Sequence, residues 1–283
     1  MRETWSAPAK LNLMLHIVGR RSDGYHELQT VFQLIDLRDS LDITVREDGR
    51  IVRTQGPATV PEAQDLTVRA ALALKAETGT RLGADIALTK RIPMGGGLGG
   101  GSSDAATTLV ALNHLWQTGL SSREIATIGG RLGADVPVFV HGTSAWAEGV
   151  GDRLEPAALP GNSWFLVIFP GIHVPTAEVF QAPELTRNSP LTTMRGFLEL
   201  GGRNDCEAVV RARFPAVGEA LDWLARFAPA RLTGTGSCVF AKFARPQDAE
   251  RLAARVPDTW RAWVARGVNQ SPLLDELGRR SKS

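Results

Sequence analysis

The chain has 283 residues, 43% hydrophobic and 22% charged, with 32 Lys and Arg against 30 Asp and Glu. A net charge of +2, dispersed along the sequence, excludes the basic field of a nucleic-acid binder. Two cysteines, Cys206 and Cys238, exclude a disulfide framework and a cysteine metal site, and predict reduced thiols. The opening M-R-E-T-W has no apolar signal region, and the longest apolar run, Trp164 to Phe169, is far too short for a membrane span. The expectation is a cytoplasmic protein without membrane or nucleic-acid partners, long enough for one large domain or two smaller ones.

From Ala9 to Ile17 apolar residues alternate with Lys10, Asn12, Met14 and His16. Period two predicts a strand and puts Lys10, Asn12 and His16 on one face. Asp23-Gly24 is a turn signal, and Thr30 to Ile35 and Leu41 to Val45 read as two strands. Asp65 to Ala76 reads as a helix. Ile86, Leu88, Lys90 and Ile92 then alternate as a half-exposed strand. Next comes P-M-G-G-G-L-G-G-G-S-S-D, Pro93 to Asp104, followed by a helix over Ala105 to Trp116 whose face carries Ala105, Ala106, Leu109, Leu112 and Trp116. Ser102, Ser103 and Asp104 suit its N-cap or first turn. Ser121 to Glu124 is a capping box opening a helix with Ile125, Ile128 and Leu132, and Asp135 and Pro137 follow the break at Gly133.

Pro156, Pro160 and Gly161 mark a boundary, giving an N-terminal domain over 1–155 and a C-terminal domain over 156–283. In the second, Trp164 to Phe169 is a buried strand, and Asn204 to Arg213 and Ala216 to Phe227 are helices. L-T-G-T-G-S-C-V-F, Leu232 to Phe240, is a second Gly-rich loop running into a strand. Gln247 to Val256 is helical, Trp260 to Val264 a strand, and Gly278 to Ser283 a polar, disordered tail. Strands and helices interleave without the rhythm of a doubly wound sheet. The predicted fold class is α+β, with two domains and a cleft between them.

The loop from Pro93 to Asp104 carries the chemistry. Glycine lets the backbone approach a ligand closely, and the following helix end adds partial positive charge, so the segment is a cradle for a polyphosphate. Gly95, Gly97 and Gly100 form a literal G-x-G-x-x-G. A dinucleotide fingerprint, however, needs a buried strand running straight into the first glycine, and Pro93-Met94 intervenes here. A Walker A loop needs Gly-Lys-Ser/Thr, and no lysine stands between Arg91 and the helix. A flexible linker is the plain alternative, although linkers rarely run into a patterned helix.

P-M-G-G-G-L-G-G-G-S-S-D-A at Pro93 to Ala105 resembles the phosphate loop of the galactose, homoserine, mevalonate and phosphomevalonate kinases. P-A-K-L-N-L at Pro8 to Leu13, D-G-Y-H at Asp23 to His26, L-G-A-D-V-P at Leu132 to Pro137 and L-T-G-T-G-S at Leu232 to Ser237 narrow the resemblance. Together they are similar to the 4-diphosphocytidyl-2-C-methyl-D-erythritol kinase family of the non-mevalonate isoprenoid route, over nearly the whole chain.

The resemblance implies transfer of the γ-phosphoryl of ATP, with Mg²⁺, to the 2-hydroxyl of that small-molecule substrate. Pro93, Met94, Gly95, Gly96, Gly97, Leu98, Gly99, Gly100, Gly101, Ser102 and Ser103 would hold the ATP phosphates, with Ser103 a candidate for Mg²⁺. Asp135 would accept the hydroxyl proton as the O–P bond forms, worth about 10²–10⁴-fold; its plain alternative is a helix N-cap. Lys10 would sit beside Asp135, keep it ionised and steady the γ-phosphoryl oxygens, with Asn12 in the same site. Tyr25, the single tyrosine, would stack on cytosine and His26 would read its edge. Phe180 would close the other face, and Thr176 would lie near the diphosphate. Gly234 to Ser237 would border the reaction centre. A homoserine or mevalonate kinase is the rival within the class, and a nicotinamide oxidoreductase the rival outside it. The sequence leaves a homodimer open.

Overall fold

The computed structural model describes residues 2–280. Two long antiparallel strands, β1 (Arg2–Arg20) and β2 (His26–Arg46), form its backbone. They are followed by β3 (Ile51–Gln55), α1 (Leu66–Thr78), β4 (Gly83–Thr89), α2 (Gly100–Leu115), α3 (Ser122–Gly130), α4 (Val136–His141), β5 (Ala145–Glu148) and β6 (Arg153–Pro156). The second half runs β7 (Trp164–Phe169), α5 (Thr176–Gln181), α6 (Met194–Leu200), α7 (Glu207–Arg213), α8 (Pro215–Ala225), β8 (Ala230–Leu232), β9 (Val239–Phe243), α9 (Pro246–Ala253), β10 (Arg261–Val268) and α10 (Pro272–Arg280). Strand order is β3-β4-β2-β10-β7-β9-β8, with β1 on β2 and β5 joining β2 to β6.

The strands predicted at Thr30 to Ile35 and Leu41 to Val45 are one. Alternation continues between them: Asp36 and Arg38 point outward while Leu37 and Asp39 are buried. An inward carboxylate hides this in the sequence, because it looks like a break in the apolar face. In β1 the register slips between Asn12 and Met14. Such a bulge reverses the faces beyond it, so Leu15 rather than His16 follows Lys10 and Asn12 into the cleft. His16 is not part of the site.

Three apolar clusters hold the molecule together. One packs α1, α2, α3 and α4 on β1, β2 and β4. A second packs α7, α8 and α9 against β7 and β9. The third, with Leu11, Met14 and Val31 from one half and Phe165, Val167 and Phe240 from the other, joins them. α10 returns to the first half, where Glu276 accepts hydrogen bonds from the Ser6 amide (2.9 Å) and hydroxyl (2.7 Å). The polar tail is therefore helical through Arg280, with Leu273 fully buried; the rest of it lies outside the described residues. β10 also runs on to Val268 and pairs with β2 at Gly267 and Val268. Among the described residues no helix is long and apolar enough to cross a membrane.

Candidate active site

A cleft of about 600 Å³ lies where the two halves meet. Its floor is the loop Pro93 to Ser102. Gly95, Gly97 and Gly99 take φ of 68°, 75° and 72°, alternating with neighbours of ordinary φ. The carbonyls from Gly95 to Gly99 are all occupied from below. Gly95 O accepts from the Ser237 amide (3.3 Å), Gly96 O from the Cys238 amide (3.0 Å) and Leu98 O from the Lys10 amide (3.0 Å). Gly97 O accepts from Lys10 Nζ (3.0 Å) and the Thr233 hydroxyl (3.3 Å), and Gly99 O accepts from the Ser103 amide (2.9 Å). None of the main-chain N–H groups from Gly95 to Ser102 donates to an acceptor among the described residues. The loop thus spends its acceptors on the scaffold and keeps its donors for a ligand, the polarity an anion site needs.

α2 begins at Gly100 with Gly99 as its N-cap, one turn earlier than the sequence reading. Ser102 and Ser103 therefore lie in the first turn of the helix, one of the two places expected for them, with Asp104 just beyond, and none of the three is the cap. Ser103 is fully buried, its hydroxyl bonds nothing, and it lies off the cleft lining. The helix turns this side chain into the core, so it is not presented to a metal in the cleft. Among the described residues no three His, Cys, Asp or Glu side chains converge as a metal cage.

Lys10 and Asp135 face each other beside the loop. Lys10 Nζ lies 3.3 Å from Asp135 Oδ2 and donates to Asn12 Oδ1 at 2.6 Å. The lysine is 4% exposed and the aspartate 34%, so the cation is built into the wall while the carboxylate reaches the opening. Asn12 is held in turn, its Nδ2 donating to Thr30 Oγ1 at 2.8 Å and its amide to Thr233 Oγ1 at 3.0 Å. Asp135 occupies the N-cap position of α4 but makes no capping hydrogen bond. A side chain at a cap position that caps nothing is free for chemistry. Gly99 makes the approach possible, since a Cβ there would meet Phe139 Cζ at 2.8 Å and Lys10 Cε at 3.1 Å.

Behind the loop stands an ion cluster. Lys90 Nζ donates to Asp104 Oδ2 at 2.7 Å and to Asp39 Oδ2, and Asp39 Oδ1 accepts the Ile92 amide at 2.9 Å. Asp39 is fully buried and Asp104 nearly so. Burial pushes the Asp104 carboxyl well above the usual carboxylate range, opposed by the Lys90 charge and reinforced by Asp39. Burial works against the Lys90 charge too, but its two carboxylates outweigh that and raise it. Lys90 follows β4 and does not continue it as a strand residue.

The far end of the cleft gathers some of the remaining candidates. Phe180 and Thr176 line it, and the Thr176 hydroxyl meets the Thr235 hydroxyl at 2.9 Å. Gly234 and Thr235 line it as well, whereas Ser237 is buried and donates to Ile172 O. His26 stacks on Phe180, with ring centroids 5.2 Å apart and planes 26° from parallel. Tyr25 stands apart, 66% exposed on the turn where Asp23 Oδ1 accepts its amide at 3.1 Å. Sequence reasoning missed Lys90, Asp39, Thr233 and Arg187, which donates to His26 Nε2 at 3.0 Å. It also missed the wall of Pro57, Val60 and Leu66 beside the start of α2. A lone lysine or arginine carries no motif, and only the Lys90 alternation hinted at a role.

The GHMP kinases N terminal domain family matches residues 65–143, and the GHMP kinases C terminal family matches 184–262. The 4-diphosphocytidyl-2-C-methyl-D-erythritol kinase of Alkalilimnicola ehrlichii is 60% identical over 96% of this chain and 94% of its own. The chain belongs to the 4-diphosphocytidyl-2-C-methyl-D-erythritol kinase family. The family's enzyme from Halorhodospira halophila is 55% identical over 95% of this chain and 94% of its own. A crystal structure of 4-(cytidine 5'-diphospho)-2C-methyl-D-erythritol kinase superposes with TM-score 0.82 at 35% identity, covering 94% of this chain and 99% of that one. A mevalonate kinase crystal structure superposes with TM-score 0.70 at 16% identity, over 95% and 100% of the two chains, and shares the fold.

Proposed function

We propose that the chain transfers the γ-phosphoryl group of ATP to the 2-hydroxyl of 4-diphosphocytidyl-2-C-methyl-D-erythritol, giving ADP and the 2-phosphate. Membership of the kinase family supports the reaction. The observation that carries the site assignment is the Lys10–Asp135 pair at the edge of a loop whose amides are all free to bind phosphate. Phosphoryl transfer is mainly positioning and charge stabilisation. The loop amides and the start of α2 would hold the triphosphate, with its nucleoside end against Pro57, Val60 and Leu66. Asp135 would take the hydroxyl proton as the new O–P bond forms and the bond to ADP breaks. Lys10, locked by Asn12 and Gly97 O, would place its charge beside both groups. Mg²⁺ accompanying ATP would offset phosphate charge. This cation ordinarily keeps several waters and binds through substrate phosphates with one or two protein oxygens, and so needs no all-protein cage.

At the other end, Tyr25, His26 and Phe180 would take the cytosine, and Thr176 would lie toward the diphosphate. His26 and Phe180 already share a face, and the exposed Tyr25 ring has room to come over it. The test is transfer of labelled phosphate from ATP to the cytidylated alcohol, to homoserine and to mevalonate. Turnover of the cytidylated alcohol alone is expected. Equal or better turnover of homoserine or mevalonate would defeat the assignment.

A further inference from the structure

Arg187 follows α5 and uses every donor it has. Its Nε–H goes to His26 Nε2 at 3.0 Å. Nη1 donates to Leu185 O (3.1 Å) and Pro183 O (3.4 Å), and Nη2 donates to Ala182 O (2.7 Å) and Phe180 O (3.0 Å). A guanidinium has five N–H donors and no acceptor, and it does not lose its proton. All five are committed, four of them to carbonyls, so the group is fixed in place and in orientation. The partner atom, His26 Nε2, has to be a lone pair. The imidazole is therefore neutral, and its single proton sits on Nδ1. Burial and the charges of Arg187 and Arg20 favour the same neutral form, holding the ring below the ordinary histidine range. His26 Nδ1 has no partner among the described residues and is open to solvent. The ring is also held in its plane by Phe180.

We propose that Arg187 is a positioning residue that fixes His26 as an Nδ1–H donor and so makes the base site select cytosine over uracil. The two pyrimidines differ at N3 and at the neighbouring C4 substituent, amino in cytosine and oxo in uracil, and the proposal places His26 opposite N3. Cytosine N3 is a lone pair, which accepts from Nδ1–H; uracil N3 carries a hydrogen and meets that donor head-on. The opposite tautomer would reverse the preference. The inference rests on the proposed placement of cytosine against His26.

The experiment uses the full chain labelled with ¹⁵N in its five histidines. Long-range ¹H–¹⁵N correlation reports which ring nitrogen is protonated, with His26 assigned from the spectrum of His26→Gln. At pH 7.5 His26 is expected to show a protonated Nδ1 and a bare Nε2. CDP is expected to bind at least ~10-fold more tightly than UDP, the scale of one mismatched hydrogen bond. In Arg187→Met the single tautomer should be lost and the CDP/UDP ratio should fall to within about twofold. Arg187→Lys, which keeps a charge but not the fork, should fall between them. A residue that merely clamped the carbonyls after α5 would weaken both nucleotides alike and leave the His26 tautomer unchanged. The proposal is overturned if wild-type His26 carries its proton on Nε2 or carries two protons. It is equally overturned if UDP rivals CDP in the wild type, or if Arg187→Met keeps the discrimination; the wild-type measurements decide the matter even if that variant fails to fold. Correct tautomer and CDP selectivity with no phosphoryl transfer to the cytidylated alcohol would instead sink the proposed reaction alone.

Discussion

Gly97→Ala separates the cost of backbone strain from the cost of moving the phosphate loop. Gly97 has φ of 75°, and a side chain in that region costs roughly 1–2 kcal/mol. The new Cβ would also lie 2.2 Å from Thr233 O and 3.1 Å from Gly236 O, both main-chain atoms. Ordinary contact begins near 3.4 Å, so the loop and the 233–236 segment must part by about 1 Å. That movement pulls Gly97 O away from Lys10 Nζ and the Thr233 hydroxyl. Misplacing reacting groups by 1 Å costs on the order of 10²-fold. Gly79→Ala is the control: φ is 67°, nothing lies within 4 Å of the added carbon, and the residue caps α1 away from the cleft. It should lower Tm by ~2–4 °C per kcal/mol of strain and leave steady-state kinetics unchanged. Gly97→Ala should show a larger thermal shift, from the added main-chain clash, together with a fall of about 10²-fold in kcat/KM for ATP. A Gly97→Ala enzyme within twofold of wild type would refute the argument that the strapped loop conformation is what binds phosphate.

Asp135→Asn keeps the volume and removes the base, so kcat should drop by about 10²-fold or more while KM for ATP and Tm hold, measured by coupled ADP release and thermal melting; an active variant would remove Asp135 from the mechanism. Tyr25→Ala deletes a ring whose exposure makes it dispensable for stability, so Tm should not change. KM for the cytidylated substrate should rise by the ~1–3 kcal/mol of base stacking, and an equal rise in KM for ATP would contradict that role. Asp104 has its folded-state carboxyl raised by burial, so its favourable contribution is full below the unfolded value and is lost as pH climbs through the raised one. Asp104→Asn should therefore raise Tm at pH 8 and raise it less at pH 5; the reverse order in melts at the two pH values would show that the Lys90 charge outweighs burial.

Much of this was legible in the chain because the site is built from contiguous motifs. The glycine loop, the Lys10–Asn12 alternation and the segment around Asp135 each encode their geometry locally, and the Ser121 to Glu124 capping box forms as spaced. The pairing of Lys10 with Asp135 rested on resemblance, because 125 residues separate them and only the packing of the helices on β1 brings them together. What stayed hidden is long-range polar chemistry. Asp39 reads as a strand break until Lys90 and the Ile92 amide are seen on its carboxylate. His16 shares a period with Lys10 until a one-residue bulge turns it away. Arg187 belongs to no pattern, since its partners are a ring nitrogen and four carbonyls. The boundary drawn near residue 156 falls where β6 ends, but the last helix packs back on β1, a return that no local signal announces.

The straps beneath the glycine loop set an order of events for a newborn chain. Three of its carbonyls are fastened by Thr233, Ser237 and Cys238, and these leave the ribosome more than a hundred residues after the glycines do. Until then only Lys10 and the start of α2 hold the segment, at Gly97, Leu98 and Gly99, and the Gly95–Gly96 end is without its straps. Nucleotide grip is therefore acquired late in synthesis, and the N-terminal half expressed by itself should carry the whole glycine motif and still fail to retain ATP.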